Sequence, residues 1–237
     1  MNSFQDALVW LNDPLNWQGP QGVPHLTYEH LYISGAAVFL AALFALPTAL
    51  AFGHNGRGGG FTVVLTNVSR AIPTLALLTI FAVTPIGFGN RATIVALAVF
   101  AVPPLLTNTY VGVRGVDADV VEAARGMGMS GLTVLRKVEL PLAMPLIAAG
   151  FRTAAVQVVA TATLAALVGG GGLGTIINTG FGQQDQGQIV AGGLLVALLA
   201  VVTEAVLAIV QRSVTPGRAR GRSVRKVHET ADAVSVS

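Results

Sequence analysis

The sequence predicts an all-α integral membrane protein with about five transmembrane helices, and three observations lead there. Of its 237 residues, 53% are hydrophobic and only 11% charged, with a mean hydropathy of +0.68; an ordinary soluble domain carries about 25% charged residues. The apolar residues gather into runs of the roughly 20 residues needed to cross a bilayer. The basic residues alternate by segment: six of the 14 lie between Arg212 and Lys226, four between Arg114 and Lys137, and Arg57 lies in the link 54–60, whereas segments 1–29, 84–91 and 169–187 contribute only Arg91. The positive-inside rule then places the amino end outside and the carboxyl end in the cytoplasm, which requires an odd number of spans. The same distribution argues against nucleic acid as a partner, despite a pI near 9.8, because the basic residues form no patch beside stacking aromatics.

In chain order, residues 1–30 read as an extracytoplasmic segment. It holds no Lys or Arg and no apolar core, so it does not resemble a cleavable signal peptide and the first span must direct insertion. Residues 31–211 form the transmembrane domain. The first span covers 31–52, with Tyr28 and Tyr32 at interfacial depth, and the glycine-rich link 53–60 makes an inner turn. The second span, 62–83, contains Arg70 and Pro73. Proline removes a helical hydrogen bond, so a break near Ile72 is expected, tolerated where protein or water satisfies the freed backbone. The third span, 92–113, carries Pro103 and Pro104 at mid-membrane and is expected to bend there too. After an amphipathic stretch, 116–141, the fourth span covers 150–168, with 142–149 leading up to it. Segment 169–187 is the longest outer connection, and the fifth span covers 189–210. Residues 212–237 read as a basic cytoplasmic tail, disordered after Pro216.

The stretch 116–141 is a polar island spaced for two short surface helices joined near 126–131. It contains Glu122-Ala123-Ala124, three residues, Gly128, nine residues, Val138, one residue, then Leu140-Pro141. That pattern resembles, position for position, the cytoplasmic docking loop of bacterial ABC-importer permeases, with Val138 where Ile is commoner. The bland reading is an amphipathic helix pair resting on membrane lipid. On the docking reading, Gly128 permits a tight bend that a side chain would obstruct, Ala123 and Ala124 let the first helix sit in a groove of a partner, and Pro141 ends the second helix.

Further stretches, among them Ile72-Pro73-Thr74-Leu75, Asn108-Thr109-Tyr110, Gly126-Met127-Gly128-Met129 and Thr161-Ala162-Thr163-Leu164, resemble the osmoprotectant branch of these permeases, whose members import glycine betaine, carnitine, choline or proline-like solutes. The resemblance implies a type I importer fold with a coupling loop at 116–141. It also implies ABC ATPase subunits on separate chains, a second permease, identical or homologous, and an extracytoplasmic solute-binding protein, all at the bacterial cytoplasmic membrane.

Polar residues within spans are functional candidates because lipid penalises them by about 2.5 kcal/mol or more. Asn108 and Gln157 are the candidates for the translocation path; Arg70 and Glu204 lie near enough to the inner surface to snorkel or pair. No hydrolytic triad or paired carboxylates emerge, the histidines at 25, 30, 54 and 228 are scattered, and there is no cysteine. No metal or cofactor is therefore expected. Gly169 to Gly174 satisfies G-x-G-x-x-G but follows an apolar helix rather than a strand, and reads as a flexible turn allowing close helix approach. With no Gly-Lys-Ser/Thr for ATP, the chain is expected to be a transport subunit and not an enzyme. A stand-alone secondary transporter would also use Glu204, Arg70 and broken helices, but has no need of a docking loop.

Overall fold

The computed structural model describes residues 3–214, and of Arg70 only the backbone. The described part is helical. Helix α1 (Ser3–Asn12) and a 3-10 turn (Pro14–Trp17) precede α2 (Val23–Asn55), α3 (Gly59–Ala71), α4 (Thr74–Ala82) and α5 (Asn90–Arg114). Then come α6 (Ala118–Gly126), α7 (Gly131–Val134), a π-turn (Leu135–Glu139), α8 (Leu140–Thr161), a 3-10 stretch (Ala162–Val168), α9 (Gly174–Gln183) and α10 (Gln186–Val214). Four of these runs, 23–55, 90–114, 131–168 and 186–214, are long and apolar enough to cross a membrane, and α3 with α4 makes a fifth if the bent pair is one span. The chain is a multi-pass membrane protein.

The contacts fix how these helices run. Near the start of α2, Glu29 Oε1 accepts a 2.8 Å hydrogen bond from Asn90 at the start of α5. At its other end Gly53 packs on Val113 and the Tyr110 carbonyl near the end of α5. Helices α2 and α5 are therefore parallel, and the connection 56–89 must travel the whole height of the bundle. Helices α3 and α4, with 13 and nine residues, rise about 20 and 14 Å. Neither spans a hydrocarbon core of about 30 Å alone, so together they make a broken crossing. They meet at 85° because Ile72, held extended (φ −81°, ψ 119°) before Pro73, leaves the helical region as residues preceding proline do.

Helix α8 runs antiparallel to α5: Gly112 packs on Ala143 and Gly150 on Asn108. Helix α10 runs antiparallel to α8, since Gln211 reaches the Pro145 carbonyl while Glu204, two turns earlier, pairs with Arg152. At the opposite end of α10, Ser3 Oγ meets Gln186 Oε1 at 2.9 Å. The two ends of the described chain thus lie at opposite ends of the bundle. The core forms where α2 presents Ala37, Ala41, Ala45 and Ala49, all buried, to Leu97, Ala101 and Leu105 of α5 and Ala154 and Val158 of α8. Small residues every fourth position let apolar helices approach where no water drives them together.

Several expectations are corrected. The first spanning helix begins at Val23, not 31, because Gly22 and Pro24 supply a start at N-cap and N2. The boundary at residue 30 therefore falls inside a helix. Pro103 and Pro104 do not break α5, which continues through both; tolerance of proline within a transmembrane helix is a matter of how its neighbours pack, and here Pro103 is buried among them. Pro141 does not end a short helix: α7, the π-turn and α8 form one continuous run. The Leu140 N–H bonds Leu135 O five residues back, and this wide turn shifts the carbonyl that the Pro141 ring would strike. Segment 169–187 holds helix α9, and α10 persists to Val214, beyond the expected start of the tail at 212. The disorder expected after Pro216 lies outside the described residues.

Candidate functional site

Two polar assemblies stand at opposite ends of this bundle. The first is the loop between α5 and α8. Asp117 caps α6, its carboxylate accepting from the Asp119 N–H at 2.9 Å, which satisfies an orphan amide and places negative charge at the helix's positive end. The helix stops after Gly126, and the chain turns through Gly128, whose φ is +83°. A Cβ there would meet nothing within 4 Å. The glycine is required by backbone conformation and not by lack of room within this chain, which corrects the expectation of an obstructing side chain. Glu122 and Ala123 are exposed, as are Val120, Met127 (72%) and Leu132 (57%). Ala124 is buried at 2%. It faces its own chain, so only Ala123 of the pair is free to meet a partner. Val138 and Leu140 are half-buried and Pro141 is exposed; Leu140 packs with Leu135, Val113 and Ile147 at the base of α8.

Behind the loop lies a link that the sequence did not reveal. His54 Nδ1 donates to Glu139 Oε2 at 2.6 Å, a carboxylate being able only to accept. Glu139 is 4% exposed. A polar cavity of about 420 Å³ opens beside this pair, with Arg114, Glu122 and Arg125 among its walls. Glu122 thus faces both the surface and this cavity.

The second assembly joins the start of α2 to the glycine-rich segment. Glu29 and Asn90 receive the amide N–H groups there: Gly171 donates to Asn90 Oδ1 at 2.9 Å and Gly172 to Glu29 Oε2 at 3.0 Å. Leu173 N–H donates to His30 Nδ1 at 3.3 Å while His30 Nε2 donates to the Val159 carbonyl at 2.8 Å, so the ring carries its proton on Nε2. A Cβ at Gly171 would overlap the Glu29 carboxylate. These bonds tie the segment to α2 and α5, and the close helix approach expected of its glycines is present where Gly171 meets the Glu29 carboxylate.

The spanning polar residues divide. Asn108 Nδ2 donates to the Pro104 carbonyl at 2.8 Å and the residue packs on Gly150, which is helix-packing duty. Gln157 is half-exposed and sits two turns, about 10 Å, beyond Gly150 on nearly the same face of α8. Glu204 pairs with Arg152 at 2.7 Å, the pairing expected as its alternative to a path role. The Arg70 side chain lies outside the described residues. A further polar patch faces α5 from α3: Thr66 Oγ1 meets Thr107 Oγ1 at 2.7 Å, and Thr62, Asn67 and Tyr110 line the adjoining cavity of about 210 Å³. Periodicity within one helix identifies a face but not its partner, so neither this patch nor the His54–Glu139 link was legible beforehand.

A family model described as "Binding-protein-dependent transport system inner membrane component" matches residues 37–216. Among characterised relatives, the glycine betaine/carnitine/choline transport system permease protein OpuCB of Bacillus subtilis is 40% identical over 195 residues, 82% of this chain and 89% of that protein. The carnitine transport permease protein OpuCB of Listeria monocytogenes is 38% identical over 203 residues, covering 86% and 90%. The osmoprotectant import permease protein OsmY of Salmonella typhimurium is 34% identical, covering 81% and 82%. Among solved structures, an inward-facing form of the MetNI methionine ABC transporter superposes with a TM-score of 0.72 at 23% identity, over 86% of this chain and all of that one. That likeness is one of fold.

Proposed function

The chain belongs to the family of inner-membrane components of binding-protein-dependent transport systems, and from that footing we propose that it forms the translocation path of an ATP-binding-cassette importer for a small osmoprotectant such as glycine betaine, carnitine, choline or proline. The observation that carries the solute class is the 40% identity over 82% of the chain to a glycine betaine/carnitine/choline permease. ATP is hydrolysed on separate ATPase subunits, which dock on the loop 116–141 through Glu122, Ala123 and the bend at Gly128. Val138, Leu140 and Pro141 anchor that loop to α8. A second permease, identical or homologous, completes the pore, and an extracytoplasmic binding protein delivers solute at the end where Glu29, Asn90 and Gly171 meet. The basic residues favour a cytoplasmic location for the docking end, with Ser3 outside. Closure of the ATPases on ATP turns the path outward and hydrolysis resets it, an alternation between two pre-existing states. Gln157 and Asn108 are the proposed path residues, and Gln157 is the stronger of the two because the Asn108 amide is already bonded to the Pro104 carbonyl and packed on Gly150.

The test is purification with neighbouring subunits, followed by reconstitution into vesicles. An ATPase is expected to co-elute, and labelled glycine betaine, carnitine or choline to accumulate only with ATP and binding protein. Uptake of none of these solutes alongside ATP-driven uptake of an amino acid would move the chain to another solute class. Uptake driven by an ion gradient with no ATPase bound would overturn the importer reading itself.

A further inference from the structure

We infer that His54 and Glu139 form a positioning tie that makes the last turn of α2 move as one body with the docking loop. The inference rests on the importer reading above and deepens it by naming the contact through which the loop grips the first spanning helix. The two residues are 85 positions apart and join at 2.6 Å. His54 occupies the last turn of α2, and Glu139 closes the π-turn at the base of the docking unit. On its other side the imidazole runs close to Gly131, the first residue of α7: Nε2 stands 3.3 Å from where a Cβ would be, room that only glycine leaves. The ring is therefore inserted between the two ends of segment 131–139. The preceding residue, Gly53, packs on Val113 and the Tyr110 carbonyl of α5, so consecutive residues of α2 touch α5 and the docking unit at once.

Three physical features make this contact a tie. A hydrogen bond to a carboxylate is strong and directional, more so away from water, and Glu139 is buried at 4%. Separating the pair would strand a buried acceptor, which costs more than the bond contributes. The other contacts of α2 at this level are packing contacts, Gly53 on Val113 of α5 and Leu46 and Leu50 on the cluster of Val113, Ala143 and Ile147; such apolar contacts are non-directional and do not fix a distance. The cavity of about 420 Å³ beside the pair, walled by Arg114, Glu122 and Arg125, lies between α6 and the end of α2. Among the described residues, the side-chain bond between α2 and segment 131–139 is this pair, and a displacement of the loop reaches α2 through it.

The experiment uses the whole transporter with its ATPase and binding protein. The chain has no cysteine, so Asn55→Cys and Ser130→Cys, both exposed positions, take spin labels at the end of α2 and the start of the docking unit. In the otherwise parental complex the label separation is expected to stay the same between nucleotide-free and ATP-trapped states; a separation that changes on trapping overturns the tie whatever the variants do. His54→Ala or Glu139→Ala is expected to lower uptake per assembled complex about tenfold. The ATPase should remain bound, but its hydrolysis should no longer respond to loaded binding protein, and the label separation should shift with ATP. The double variant should be no worse than either single one, since both remove one contact. Glu139→Gln, which can still accept the imidazole proton, should restore most uptake. Parental uptake per assembled complex in both alanine variants, including a case where only the assembled amount falls, rejects the tie and leaves the importer reading intact. Absence of any ATPase from the parental complex would sink that reading and the tie with it.

Discussion

Gly128 shows what a single residue contributes. Its φ of +83° is a conformation that a side chain disfavours by about 1–2 kcal/mol, Asn less than others. Because nothing of its own chain lies within 4 Å of the Cβ position, Gly128→Ala and Gly128→Trp bear the same backbone penalty, and an extra loss in the Trp variant reports whatever the indole meets beyond that Cβ, on the proposed reading the ATPase. Uptake is expected to fall little in Gly128→Asn and to be lost in Gly128→Trp, measured beside the amount of ATPase retained. Parental uptake with bound ATPase in Gly128→Trp would reject the docking reading. Glu122→Ala should show a milder form of the same defect. The spanning amides separate by a similar logic. Gln157→Leu is expected to cut uptake several-fold with thermal stability unchanged. Asn108→Leu, which keeps the shape against Gly150 but removes the donor to the Pro104 carbonyl, is expected to destabilise the fold by roughly 0.5–1.5 kcal/mol. Unchanged uptake in Gln157→Leu would remove that residue from the path.

At the scale of elements, the periodicity and composition of the chain located the spans, but the junctions between helices decided their roles. Proline illustrates this. Pro73 separates α3 from α4, while Pro103 and Pro104 lie inside an unbroken α5 and Pro141 is carried past by a π-turn. The same residue type has different outcomes because its cost depends on which carbonyls it strands and whether neighbours can take them up. The glycine-rich segment after the 3-10 stretch is another junction: there Gly171 admits the Glu29 carboxylate, and Glu29 and Asn90 cross-link α2, α5 and the approach to α9. Gly171→Ala is expected to destabilise the purified protein by roughly 1–3 kcal/mol, read as earlier thermal unfolding. Glu29→Gln, which keeps an acceptor for Gly172, should lose less. Equal stability of Gly171→Ala and parent would show that the junction is loose.

For the whole molecule, the parallel course of α2 and α5 requires that residues 56–89 cross the bundle, so the broken pair is a span and the described ends fall on opposite sides. With the basic residues, this sets a topology that labelling can check. Single cysteines at Ser3, Ser130 and Ser213 are expected to react from outside, inside and inside respectively. Finding Ser3 and Ser130 on one side would overturn both the charge argument and the crossing. One chain also leaves much apolar surface bare: α10 exposes Leu198, Val201, Val202, Val206 and Ile209, a face compatible with hydrocarbon and not with water.

The sequence by itself determined the membrane environment, the four or five helices able to cross, the break at Pro73 and the spacing pattern from Glu122 to Pro141 on which the docking proposal rests, because hydropathy and local spacing are properties of short windows. It also placed Gly128 correctly at a turn. Only the tertiary structure decided which side of a helix meets which neighbour. That is why Ala124 turned out to face inward, Asn108 to pack on Gly150, and Glu204 to pair with Arg152. The links that join the bundle at its two ends, His54 with Glu139 and Glu29 with Asn90 and Gly172, connect residues 61 to 143 positions apart. No periodicity couples positions so distant; they meet because the packing of small-residue helices sets the register that brings them together.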